Sequence, residues 1–429
     1  MTREQLIKKI TAEVTIALAK ESQRTIKALT MEQREKIITN IRSMTIENAE
    51  TLSKMAVEET GMGHVAHKIL KHHLAAKKTP GTEDITAAAW SGDNGLTLVE
   101  MSPFGVIGAI TPSTNPSETI ICNTIGMLAG GNTVVFSPHP GAMKTSQFAV
   151  DMINHASASA GGPEKIAFIA ETDVVMKHKD ISLLVATGGP GLVSTVLASG
   201  KRGIGAGAGN PPVLVDDTAD LHKAAKDIVD GCTFDHNLPC IAEKALVALD
   251  AIADDLMRYM VNGQNCYPIR PTELARLESL VFTQNGLNRA CVGKSADVLL
   301  NMIGVKPPDG IRCIVFEGEK AHPMITEELM MPILGMVRAT DFDDAVEKAL
   351  WLEHGYRHSA HIHSKNVDRL AFYTKAMDTT ILVKNAPSYA GIGFGSEGFC
   401  TFTIASRTGE GLTSASTFTK RRRCVTGGM

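Results

Sequence analysis

The sequence predicts an α/β protein with two parallel-sheet domains behind a helical opening, and three observations carry that expectation. Residues 1–78 repeat apolar side chains at three- and four-residue spacing without an internal proline (Leu6, Ile10, Val14; Ile37, Ile38, Ile41), which is the period of amphipathic helices. From Leu96 onward, short apolar runs alternate with helix-length segments, the sequence form of βαβ units. At 429 residues the chain exceeds what one core encloses, since single cores stop growing at roughly 250–300 residues.

The elements follow in order. A β-hairpin is expected near 96–102, then strands at VIGAI, NTVVF, KIAFIA, LLVATGG and PVLVDD with helices between them. Parallel strands place a ligand beyond their carboxyl ends, and those ends read TPSTNP, SPHPGA and TGGPG, polar or glycine-rich. A second α/β set follows, with strands at KALVALD, RCIVF, ILGMVRA, SAHIHS and TILVKN and an amphipathic helix over Phe342–Leu352. The stretch Phe399–Val425 is rich in threonine and β-branched residues and is expected to return as an edge strand and oligomer contact. The expected domains are therefore 1–232 (helices and first sheet), 233–398 (second sheet) and 399–429 (C-terminal β segment).

Composition excludes several classes. The net charge is -3 with both signs interspersed, so no nucleic-acid partner is expected, and the one basic run, Lys420–Arg423, reads as a solvated tail or subunit contact. The eight cysteines are scattered, without C-x-x-C or disulfide-framework spacing, which suits a reducing cytoplasm. No stretch approaches about 18 apolar residues and the N-terminus has no apolar h-region, so neither membrane nor secretion is expected.

Two patterns invite chemistry and fail on inspection. GIGAGA, Gly203–Ala208, satisfies G-x-G-x-x-G/A, but Asn210-Pro211-Pro212 forbids the helix that fingerprint must open. His354, His358, His361 and His363 lack a cysteine or acidic partner at ligand spacing, so they are read as surface or pocket histidines and no metal is expected. FDHNLPCIAEK, Phe234–Lys244, sets Cys240 after a proline where a turn can present a thiol, although spacing alone does not separate it from seven other cysteines.

Taken together, SPFGVIGAITPSTNP, NTVVFSPHPG, TGGPGLV, GAGAGNPP, NLPCIAEK, EELMMP and KNAPSYAGIG, in this order from Glu58 to the C-terminus, resemble the aldehyde dehydrogenase superfamily. SPHPG, FDHNLPCIAEK, GEGFCTFTIA and the terminal RRRCV resemble, more narrowly, the coenzyme A-acylating propionaldehyde and acetaldehyde dehydrogenases of bacterial microcompartments. The resemblance implies a Rossmann-type cofactor domain, a catalytic domain and a small β oligomerisation element. It makes Cys240 the nucleophile, Cys232 structural, and Asn115 the amide that, with the cysteine N–H, holds the developing oxyanion.

For NAD+, the resemblance implies contacts from Thr111, Pro112, Ser113, Thr114, Ser137, His139, Pro140, Gly141, Thr187, Gly188, Gly189, Val193, Gly207 and Glu328. Glu328 corresponds to the glutamate on the nicotinamide ribose, Ser137 and His139 lie in the adenosine-ribose region, and Gly188, Gly189 and Gly191 open a helix toward the pyrophosphate. Many hydrolytic members carry lysine at Ser137, which leaves NAD against NADP preference open. Those members also read E-L-G-G-K-N-P where this chain has Gly205 in the glutamate's place. Without that base a Cys240 thioester resists water and passes to coenzyme A, so the implied reaction converts propanal or acetaldehyde to acyl-CoA. The rival readings are a hydrolytic dehydrogenase and an idle homologue kept for assembly. A homodimer or homotetramer inside a microcompartment is implied. Leu6, Ile7 and Ile10 could face its shell proteins, but no proline-rich linker separates that helix, which favours the first helix of the fold.

Overall fold

The computed structural model describes residues 2–284 and 286–428. Four helices open the chain, Arg3–Ala28, Met31–Glu47, Ala49–Thr60 and Val65–Lys78, as the apolar spacing predicted. Thr2 with Gln5 and Thr30 with Gln33 form capping boxes that satisfy the first orphan N–H groups of two of them. Ile37, Ile38 and Ile41 make the buried stripe of the second helix. In the first helix Ile16, Ala19 and Ile26 are buried, whereas Leu6, Ile7, Ile10 and Val14 are exposed.

Two compact units result. One comprises residues up to Glu59, Ile69–Gly207 and the chain from Gly398 onward; the other comprises Thr60–Lys68 and Ala208–Glu397. The first contains a five-stranded parallel sheet in the order Ala167–Ile169, Thr133–Pro138, Val106–Thr111, Ile181–Thr187, Arg202–Ala206. Counted along the chain that is 3-2-1-4-5, the doubly wound arrangement, and the order reverses between Val106–Thr111 and Ile181–Thr187. Those two strands end in TPSTNP and TGGPG, so the loops that looked informative in sequence stand at the switch point.

The second unit holds seven parallel strands in the order Cys266–Pro268, Cys313–Glu317, Ile333–Ala339, Ala245–Leu249, Pro212–Val215, Ser359–His363, Ile381–Lys384. An apolar cluster covers each face, Leu214, Val247 and Ile362 on one, Val213, Val215 and Leu246 on the other. This alternation is the period-two signature of strands buried on both sides. Phe342–Glu353 is the expected amphipathic helix, capped by Asp341.

Three expectations need correction. PVLVDD was expected to extend the first sheet, but Pro212–Val215 pairs with Ala245–Leu249 and Ser359–His363 in the second. The first sheet closes instead with Arg202–Ala206, part of the glycine-rich segment, in which Gly203 and Gly205 pack closely against Val196 and Val193. The unit boundary accordingly falls after Gly207, not after 232, and the C-terminal segment joins the first unit. There Thr419–Gly427 runs antiparallel to Gly95–Pro103, itself paired with Ala88–Gly92, so the hairpin begins earlier than the 96–102 expected. Gly95, at φ +109°, must be glycine because a Cβ would stand 2.1 Å from the Thr426 carbonyl oxygen.

Candidate active site

The turn that carries Cys240 begins where the helix Leu221–Thr233 stops. Asp235, His236 and Asn237 all adopt left-handed backbone, at φ 50°, 54° and 66°. Non-glycine residues visit that region singly as a rule, and three in succession persist only when surrounding contacts over-determine them. Those contacts are present. Asp235 Oδ1 accepts the His64 backbone N–H at 2.7 Å, and its Oδ2 meets Lys68 Nζ at 3.1 Å with both side chains buried. Asp235 N–H donates to His67 Nδ1, and the His236 imidazole bonds the Gly293 carbonyl.

Asn237 Nδ2 donates to the carbonyls of Cys232 and Glu243, while Lys244 Nζ donates to Asn237 Oδ1 at 2.6 Å and to its carbonyl at 2.8 Å. Gly63, at φ +85°, closes the clamp: a Cβ there would come within 2.4 Å of Asp235 Oδ1. Leu238 and Pro239 then deliver Cys240, which is partly exposed, whereas Cys232 is fully buried with its sulfur 3.9 Å from Cys313, a core position. Sequence reasoning missed Lys68, Asp235 and Lys244. The available signal was the run of polar, turn-tolerant residues in FDHN just before the proline.

Electrostatically the turn is crowded. Burial pushes the Cys240 thiol up to about 12, and Glu328 adds to the effect, while Lys244 and the backbone N–H groups of Cys240 and Ile241 oppose it. Burial likewise raises Glu328 to about 7, against Lys244 and a hydrogen bond from the Gly209 N–H. Burial lowers Lys244. Thiol, carboxyl and amine are thus neighbours whose charges are set jointly, and removing the negative charge of Glu328 favours the thiolate.

Gly209 has no room for a side chain, since a Cβ would lie 2.8 Å from His358 Cγ. His358, His361 and His363 are buried, not superficial, and desolvation brings them to about 4, 4 and 3, which keeps the rings neutral. His361 Nε2 donates to the Ile241 carbonyl at 2.8 Å and so braces the peptide after Cys240. Among the described residues no group of three or more His, Cys, Asp or Glu is arranged to hold a metal ion.

In the other unit, Thr111 ends its strand with a buried hydroxyl that has no partner, and Pro112–Thr114 lead to Asn115, the N-cap of the helix Pro116–Ala129. Proline at the first helical position fixes the turn. The Asn115 side chain does not cap the helix; its Oδ1 accepts from Lys71 Nζ at 2.5 Å, and Lys71 pairs with Glu118 at 3.1 Å. Ser137 Oγ bonds Thr172 Oγ1, and His139 Nδ1 accepts the Gly141 N–H in the turn over Pro140–Ala142. Thr187 Oγ1 bonds Thr403 Oγ1, Gly188 N–H donates to the Ala206 carbonyl, and Gly189 caps the helix Pro190–Leu197. Val193 lies in the core and Gly207 follows the last strand. Gly205 is an interior residue of that strand, and a side chain there would meet Val193 Cγ1 at 2.6 Å.

Comparison with known proteins agrees with this architecture. The model of the aldehyde dehydrogenase family matches residues 2–271. The propanal dehydrogenase (CoA-propanoylating) of Salmonella typhimurium is 45% identical over 92% of this chain and 86% of its own length. The acetaldehyde dehydrogenase (acetylating) of the same organism is 42% identical over 96% and 90%. Among solved structures, a propionaldehyde dehydrogenase from the Clostridium phytofermentans fucose utilisation bacterial microcompartment superposes with TM-score 0.96 at 71% identity, covering 97% of this chain and 98% of that one. The Rhodopseudomonas palustris propionaldehyde dehydrogenase with bound CoA and an acylated cysteine gives TM-score 0.95 at 50% identity, covering 97% of each chain. On the doubly wound sheet, the braced cysteine turn and these matches, the chain belongs to the aldehyde dehydrogenase family.

Proposed function

We propose that this protein is a coenzyme A-acylating aldehyde dehydrogenase that converts a short-chain aldehyde, NAD+ and coenzyme A to acyl-CoA and NADH. The observation that carries the reading is Cys240, held at a clamped turn beside Lys244 and Glu328, in a chain whose Gly205 offers no carboxylate where hydrolytic relatives keep their base. The Cys240 thiolate adds to the aldehyde carbon, and Asn115 donates its amide N–H to the oxyanion. A nicotinamide cofactor, held at the switch-point loops with Glu328 on its ribose, would supply the hydride acceptor for that carbon. Cys240 then carries a thioester, and the coenzyme A thiol displaces it, restoring the cysteine.

Support for the cofactor's place comes from the switch-point loops. Gly189 and Gly191 leave open space at the start of the helix Pro190–Leu197, where a pyrophosphate can approach the helix N–H groups, and the Thr111 hydroxyl is unpartnered at the neighbouring strand end. Glu328 is proposed to accept from the nicotinamide ribose. For assembly, the exposed sheet bearing Trp90 and Val425 suits a homodimer or homotetramer, and the exposed stripe Leu6, Ile7, Ile10 and Val14 suits a shell protein of a microcompartment.

The test follows NADH formation from propanal and NAD+, with and without coenzyme A, for the wild type and Cys240→Ser. Turnover that needs both coenzyme A and Cys240 supports the acylating reading. Steady turnover to propanoic acid without coenzyme A replaces it with hydrolysis.

A further inference from the structure

We infer that Lys71 is a positioning residue that sets and sharpens the oxyanion donor of Asn115, an inference that rests on the role proposed for Asn115 above. Lys71 Nζ is fully buried, 2.5 Å from Asn115 Oδ1 and 3.1 Å from the equally buried Glu118 carboxylate, with the Phe402 ring 5.8 Å away. An ammonium group donates and cannot accept, so the carboxamide can present only its oxygen to Lys71. That single constraint removes the amide's two-fold ambiguity. Nδ2 must occupy the opposite edge, where its hydrogen bond to Thr114 Oγ1 is a long 3.4 Å, weak enough to yield to a better acceptor.

The cation also acts on the donor's strength. A positive charge at Oδ1 draws electron density toward the oxygen and makes the N–H groups more acidic, so the amide binds a developing oxyanion better than an unassisted one. The arrangement is not explained by stability alone. A buried ion pair costs desolvation that hydrophobic residues of equal volume avoid, and Asn115 makes no capping bond that would reward its presence at the helix start. Glu118 lies in the first turn of the same helix as the residue it helps to orient, so Lys71 ties both to one charge.

Four proteins test this: wild type, Asn115→Ala, the charge-balanced pair Lys71→Met with Glu118→Gln, and the pair combined with Asn115→Ala. Each is assayed for kcat and KM with propanal, NAD+ and coenzyme A, and for its unfolding midpoint. The pair is expected to lower kcat on the order of 10²-fold, as loss of one oxyanion donor does, with KM for NAD+ within a few-fold. Adding Asn115→Ala is expected to cost little more, because both changes remove the same donor. A pair that keeps kcat within about twofold, or whose loss multiplies with that of Asn115→Ala, overturns the inference about Lys71. Full turnover by Asn115→Ala alone instead overturns the oxyanion reading, so the two failures are distinguishable.

If the pair does not fold, Asn115→Asp decides. Lys71 then holds one carboxylate oxygen and directs the other, anionic one to where Nδ2 stood. Turnover is expected at least about tenfold below that of Asn115→Ala, and equal turnover overturns the inference.

Discussion

Replacing Lys68 by methionine tests the idea that the Cys240 turn is held in place against its own backbone preference. Lys68 and Asp235 are 1% and 0% exposed and 3.1 Å apart, so the substitution leaves a carboxylate buried without its ammonium. Removing one partner of a buried pair destabilises by about 3–5 kcal/mol. The same carboxylate supports three left-handed residues, and for His236 that conformation alone costs on the order of 1–2 kcal/mol. The expected outcome has two parts. The denaturant midpoint falls by an amount equivalent to about 3–5 kcal/mol. Cys240 alkylates faster at neutral pH as the burial that raises its pKa relaxes, while turnover drops by about tenfold or more because the thiol is no longer aimed. Alkylation must be read by peptide mass, since Cys424 is also exposed. The comparison is Lys177→Met, which removes the solvent-exposed pair with Asp173 and is expected to leave the midpoint unchanged. A Lys68→Met protein that loses less than about 1 kcal/mol and alkylates at the wild-type rate refutes the clamp.

Three further outcomes are expected. Glu328→Gln removes the charge that raises the Cys240 thiol, so the pH profile of Cys240 alkylation shifts to lower pH; a shift to higher pH contradicts the coupling. His358, His361 and His363 are held neutral, with folded values of about 4, 4 and 3 below an unfolded value near 6.5. Their contribution to stability is therefore complete above pH ~6.5 and is lost as pH falls from there through those folded values, which unfolding midpoints measured across the acid range check. Gly205→Glu does not install hydrolysis, because its side chain starts against Val193; it destabilises by about 1–3 kcal/mol as overpacking does, and acid release without coenzyme A would count against this.

Length, apolar periodicity and the motif series were legible in the sequence because they are local. Spacing of Ile37, Ile38 and Ile41 marks a helix face, polar loops after apolar runs mark strand ends, and a proline before Cys240 marks a turn. What escaped were the partners those local features require. Nothing near Cys240 in sequence announces Lys68, because a buried cation is specified by the carboxylate it meets, 167 positions away. Lys71 reads as one more polar residue in a lysine-rich helix, yet it is the group on Asn115 Oδ1.

The sequence by itself determined the α/β class, the helical opening and the strand-end loops, since each follows from side-chain period or from a contiguous motif. Tertiary structure alone decided that Pro212–Val215 joins the second sheet, that Arg202–Ala206 is the closing strand of the first, and that three histidines are neutral core groups. Sheet membership depends on which edge is free to donate its N–H groups, and protonation depends on how much water the surrounding chain excludes. Both are properties of neighbours that the linear order does not name.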